Sequence, residues 1–227
     1  MFLFNHLFDF FLPRFCLSCN CKLNPDTIYI CEPCCNLIQR ADSKRIELEF
    51  NRKFESGKII SGFISAFVFE KEKPLQHLIH SLKYMENFRI GIFLGKMSGT
   101  LLKEEIKSWD GDLLIPVPLH RLKKAERGYN QSYYIAKGIS SVTKIPVEES
   151  VIKRKRFTET QTELTLEERK DNIRSAFTVS GNKKIAGKNI ILVDDVITTG
   201  ATISECGSVL KENGAAEIFA LSVAVAD

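Results

Sequence analysis

Residues 190–202 read IILVDDVITTGAT, and the architecture follows from this stretch. Ile190–Val193 is an unbroken apolar run, as expected of a strand buried on both faces of a parallel sheet. Such a strand delivers Asp194 and Asp195 to its carboxyl end, and Thr198-Thr199-Gly200-Ala201-Thr202 then turns into a helix. Gly200 permits a tight loop whose successive backbone N–H groups point inward, and the helix N-terminus adds partial positive charge. The threonine hydroxyls supply further donors, which makes the loop a cradle for a phosphate monoester. Two neighbouring acids would repel a phosphate, so they need another task. Vicinal ribose hydroxyls suit them as donors, and they can help hold Mg2+ directly or through water. The plainer alternative is an acid pair that only caps a helix. The loop is not a Walker A motif, because no Gly-Lys-Ser/Thr follows.

Outward from this strand the apolar pattern alternates. Strands are expected at Leu113–Val117, Pro146–Ile152, Ala176–Val179 and Glu217–Val225, with Ile59–Phe69 as one strand or a tight hairpin. Helices are expected over Pro74–Tyr84, roughly Phe88–Lys107, Tyr129–Ser140 and Thr202–Glu212. Strands alternating with helices predict an α/β fold with a parallel sheet covered on both faces and ligands beyond the strand carboxyl ends. Asn36–Lys58 is polar with weak periodicity and reads as a connector. The expected organisation is a module over 1–57 (N-terminal helix, cysteine ribbon and connector) followed by the α/β domain over 58–227.

Six of the seven cysteines fall between Cys16 and Cys35. Cys16-x2-Cys19 and Cys31-x2-Cys34 are two knuckles, and two thiolate pairs complete a closed tetrahedron around a structural Zn2+. Cys21 and Cys35 each adjoin a knuckle, and the regular spacing favours the other four. Cys206 lies in a predicted helix and reads as a core residue.

The first residues, MFLFNHLFDFFLPRFC, lack the basic start and small-residue cleavage site of a secretory signal. They read as a short helix with Leu3, Leu7, Phe10 and Phe11 on one face, ended by Pro13. No run reaches the roughly 18 apolar residues of a membrane span, so a cytoplasmic, reducing location is expected. The formal net charge of +4 is mildly basic, far from the cationic excess of a dedicated nucleic-acid coat. It is compatible with polyanionic ligands and selects none.

Several motifs together resemble one family. They are the paired CxxC, LKY at Leu82–Tyr84, PVP at Pro116–Pro118, RGYNQ at Arg127–Gln131, the Gln161…Arg169…Asn172 segment, and DDVITTGAT. The chain resembles the ComF family: competence-associated, phosphoribosyltransferase-like proteins with an N-terminal double zinc ribbon. The resemblance implies a type I phosphoribosyltransferase-like parallel sheet flanked by helices, beside a small four-cysteine zinc-ribbon module. It implies phosphoribosyl pyrophosphate (PRPP) as the ligand of Asp194, Asp195, Thr198, Thr199, Gly200, Ala201 and Thr202, with Mg2+ accompanying it. Arg121 and Arg127, near Lys123 and Lys124, face the pyrophosphate in this reading. Lys153–Asn172 corresponds to a loop that closes over PRPP and excludes water.

Two functions remain open at this stage. One is a PRPP-binding protein of competence and single-stranded DNA uptake or processing, with other DNA-uptake proteins as partners. The alternative is an active type I phosphoribosyltransferase, a glycosyltransferase for which Asp194, Asp195 and Arg127 are the catalytic candidates and the acceptor is unidentified. A glutamine amidotransferase reaction is excluded on this chain alone: residue 2 is Phe, the first Cys lies in a knuckle, and no glutaminase domain fits in 227 residues. A PRPP-responsive regulator is a weaker third reading. The residues do not fix the oligomeric state.

Overall fold

The computed structural model describes residues 13–24, 26–154, 176–180 and 184–226. The N-terminal helix expected over Leu3–Phe11 and the closing-loop residues Gln161, Arg169 and Asn172 lie outside them. The sheet is built from β1 (Gly62–Val68), β2 (Leu113–Pro116), β5 (Ile190–Ile197) and β6 (Ile218–Val225), in the order β1-β6-β5-β2. All pairings are parallel. The α/β architecture expected from the sequence is therefore present.

The central strands explain the continuous apolar runs. In β5, Ile191 and Val193 enter one core while Ile190 and Leu192 enter the other. In β6, Leu221 and Val223 divide from Ile218 and Ala220 in the same way. The period-2 geometry of a strand with two buried faces favours apolar residues at successive positions; the buried Ser222 of β6 is accommodated by donating to Ser65 Oγ of β1 at 3.0 Å.

One face is covered by α3 (Pro74–Tyr84), α4 (Phe88–Leu101) and α7 (Gln131–Thr143). Helices α4 and α7 meet backbone to backbone, since a Cβ added at Gly138 would lie 2.3 Å from the Ile92 carbonyl oxygen. The other face receives α8 (Ala201–Glu212), the antiparallel pair β3 (Ile152–Arg154) and β4 (Phe177–Val179), and aromatic residues from the chain before β1.

Several expected elements differ in extent. The helix expected over Phe88–Lys107 breaks at Leu102 into α4 and α5 (Lys103–Ser108). The strand expected over Pro146–Ile152 reduces to a single parallel bridge, Leu114 to Val147, before β3 begins. The basic stretch after Pro118 is a helix, α6 (Arg121–Arg127), ended by Gly128 at φ 78°.

The largest correction concerns Asn36–Lys58. After α1 (Glu32–Asn36) it forms α2 (Ser43–Lys53), capped by Asp42, whose Oδ1 accepts from Arg45 N–H at 2.7 Å. Ile46, Phe50 and Phe54 recur at every fourth residue and pack into the second core. That narrow stripe was hidden among charged neighbours, and only burial makes it a packing face.

Candidate functional site

Asp194 and Asp195 leave the carboxyl half of β5 facing α7 and the end of α3. Asn130 caps α7 by accepting from Ser132 N–H at 3.2 Å, while its amide donates to Val117 O at 3.1 Å. The cap turns Ser132 toward the strand, where its Oγ donates to Asp194 Oδ1 at 2.9 Å. Asp195 N–H donates to the same oxygen at 2.9 Å. Burial first, and then the charge of Asp195, pushes the Asp194 carboxyl up to about 7; Lys83 partly offsets this.

Asp195 is more deeply buried. Its Oδ1 accepts from Val196 N–H at 2.8 Å, and Lys83 Nζ lies 2.7 Å from its Oδ2, in ion-pair contact but off the hydrogen-bond direction. Lys83 is the second residue of the LKY motif at the end of α3. The motif's neighbours fix it: Leu82 is fully buried, and its carbonyl accepts from the Tyr129 hydroxyl. Tyr84 lies under the Arg127 guanidinium, 5.9 Å from the ring centroid. Arg127 also donates to the Gln131 side chain. RGYNQ thus ties three segments together, and LKY joins its arginine to the acid pair. Arg121 and Lys123 lie exposed on α6, and Lys124 pairs with Glu149 at 3.0 Å.

Thr198–Gly200 forms the turn after β5. Gly200 caps α8 at φ 76°, a conformation that disfavours side chains. A Cβ there would lie 2.7 Å from Cε1 of Phe54, so the loop rests directly on the chain that follows α2. Beneath it, the Lys53 side chain is 3% exposed. Its ammonium meets Glu49 at 2.9 Å and donates to Ala226 O at 3.0 Å and to Thr198 O. Thr198 and Thr199 face solvent, and Thr199 Oγ1 accepts from Ala201 N–H at 3.4 Å. The turn is thus open to solvent at a helix N-terminus, backed by Lys53 and Phe54.

The cysteine module packs against the first core through Tyr29, edge-on to Phe93 at 5.3 Å, and through Ser18, whose Oγ lies 3.3 Å from His77 Nδ1. The sulfurs of Cys16, Cys19, Cys21 and Cys31 all lie within 4.8 Å of one another. Cys19 and Cys31 are 3.6 Å apart, close to the roughly 3.8 Å that tetrahedral Zn–S bonds of about 2.3 Å require. Four thiols so grouped can hold a metal ion such as zinc. Cys21 belongs to this group, whereas Cys34, chosen by spacing, is buried at its edge and interacts with Cys31 and Cys19. Backbone N–H donation from Cys21 lowers the Cys19 thiol to about 6, which favours a thiolate ligand. Cys206 is fully buried in α8.

A phosphoribosyl transferase domain family matches residues 130–226, from the cap of α7 through β6. Over 150 residues the chain is 32% identical to competence protein F of Haemophilus influenzae, covering 64% of this chain and 66% of that protein. It is 33% identical over 151 residues to DNA utilization protein YhgH of Shigella flexneri, covering 64% of each. It is 26% identical over 205 residues to competence protein ComFC of Bacillus subtilis, covering 89% of this chain and 80% of that protein. The chain belongs to the ComF family. The match spans just under two thirds of the first two relatives. In this ComF-family chain the sequence motifs do not point to Lys53, Glu49 or Ser132, and they leave Lys83 ambiguous between a cap and a ligand-facing residue. Ser132 directly follows RGYNQ, and that adjacency was the one local signal available.

Proposed function

We propose that this ComF-family protein binds PRPP and acts in the uptake or processing of single-stranded DNA. The observation that carries the reading is the Asp194–Asp195 pair beside the Gly200 turn, linked through Lys83 and Tyr84 to Arg127. The turn takes the 5-phosphate, the acids take the ribose hydroxyls, and the basic side takes the pyrophosphate with its Mg2+. Zinc on the cysteine cluster is structural, since four thiolates leave no open position. Calorimetry with PRPP and Mg2+ tests the assignment: wild type binds, and Asp194→Ala/Asp195→Ala binds at least a hundredfold more weakly. Equal affinities overturn it.

The names of the relatives support the DNA part, as does surface chemistry. Tyr84 is 68% exposed beside Arg127, with Phe88 partly exposed nearby. Such rings with cations suit stacking of unpaired bases. Salt-dependent affinity for single-stranded DNA at low ionic strength is expected, and its absence removes this part of the proposal. A cytoplasmic location belongs to the same proposal. Among the described residues no helix is long and apolar enough to cross a membrane.

The match to a phosphoribosyl transferase domain favours a second reading, transfer from PRPP to an acceptor. Pyrophosphate release across a panel of bases and amines supports it, and silence counts against it.

A further inference from the structure

The acid pair has four carboxylate oxygens, and three already have partners in the protein. Asp194 Oδ1 accepts from Ser132 Oγ and Asp195 N–H, and Asp195 Oδ1 accepts from Val196 N–H. Asp195 Oδ2 faces the Lys83 ammonium at 2.7 Å. Among the described residues, Asp194 Oδ2 alone is left open to an incoming group. Mg2+ takes oxygen ligands in a near-ideal octahedron at about 2.0–2.1 Å, and a second cation cannot enter that shell beside an ammonium already at contact distance. The two carboxylates therefore do not fit joint coordination of one divalent ion while Lys83 holds Asp195.

We infer that Lys83 is the resident counter-ion of the acid pair, so that the protein holds no divalent ion there and the ribose end of its ligand binds without one. Lys83 reaches the pair from the last turn of α3, beside the buried Leu82, and its side chain is 25% exposed against 6% for Asp195. It is thus placed at the mouth of the site, where it neutralises Asp195 and leaves Asp194 Oδ2 to accept a ribose hydroxyl. Any Mg2+ arrives on the ligand's pyrophosphate and leaves with it. The ligand half of this inference rests on the proposed PRPP site; the counter-ion half does not.

Two measurements on the full chain test it, in buffer freed of metals by chelating resin so that the cysteine cluster keeps its ion. The first is Mn2+ titration without ligand, followed by electron paramagnetic resonance. Wild type is expected to show no Mn2+ site at the acids. Lys83→Met and Lys83→Gln gain one at least tenfold tighter than any wild-type binding, and adding Asp195→Asn removes the gain. The partial exposure of Lys83 makes folded variants the expectation, checked by melting; Lys83→Arg keeps the charge and should gain no site. Mn2+ on wild type as tight as on Lys83→Met overturns the inference, as does no gain in either variant.

The second measurement is calorimetry with ribose 5-phosphate, which has no pyrophosphate to carry a metal. Wild type is expected to bind equally, within twofold, with and without Mg2+. A tenfold or greater dependence on Mg2+ overturns the inference and leaves the sugar-phosphate site standing. No binding in either condition overturns the proposed site, and the Mn2+ result still decides the role of Lys83.

Discussion

The buried Lys53 ammonium donates to the main-chain carbonyl of Thr198, the first residue of the turn between β5 and α8. The two residues are 145 positions apart. The turn is thereby held from below by α2, and Glu49 completes the support by neutralising the lysine at 2.9 Å.

Lys53→Met removes this support and leaves Glu49 to Arg45 and Arg52. Because Glu49 keeps both arginines, the expected cost is that of the Thr198 and Ala226 carbonyls losing their donor, about 1–3 kcal/mol, read by urea denaturation. Ribose 5-phosphate affinity should fall severalfold further than pyrophosphate affinity, because only the first depends on the turn. An equal fall in both would show that Lys53 stabilises the protein without shaping the loop.

The raised carboxyl of Asp194 gives pH a definite sign. Between the ordinary carboxylate range and about 7, the folded chain holds a proton that the unfolded chain has lost. This contribution to stability is complete below the unfolded value and disappears as pH rises through about 7. Asp194→Asn should therefore melt higher than wild type at pH 8, with the difference shrinking toward pH 4. At the same time it should weaken ribose 5-phosphate binding and flatten its pH profile, as a site that trades stability for function requires. Parallel melting curves across that pH range would contradict the assignment.

Two glycines should respond to alanine for different reasons. At Gly200 the positive φ and the Phe54 ring 2.7 Å away oppose a side chain, at a cost of roughly 1–3 kcal/mol. At Gly138 the obstacle is the Ile92 backbone at 2.3 Å, so two helices must separate. Gly138→Ala should be the more destabilising, and combining Gly200→Ala with Phe54→Leu should recover part of its loss. Chemical denaturation ranks the three.

For the metal module, elemental analysis should find one zinc per chain, and chelation should lower the melting temperature. Cys21→Ser and Cys34→Ser decide the fourth ligand. The sulfur grouping predicts that zinc is lost with the first and largely kept with the second. The reverse outcome would return the ligand set to the two regular CxxC pairs.

The parallel α/β architecture, and the position of the acid pair and turn at a strand end, were legible in the residues alone. Those features are local: a strand buried on both faces is mostly apolar along its run, and a turn into a helix needs Gly200 where φ is positive. The cysteine cluster was legible in part, because thiols able to share an ion recur at short spacing, but the regular spacing chose Cys34 where the structure groups Cys21. What surrounds these features came from tertiary contacts. Ser132 reaches Asp194 across 62 residues, Lys53 reaches Thr198 from a stretch that reads as a connector, and Lys83 meets Asp195 from another helix. A lone lysine or serine carries no period or spacing to betray its partner. Only folding brings it out of water beside a charge or a carbonyl, and there burial makes the contact strong enough to shape the site.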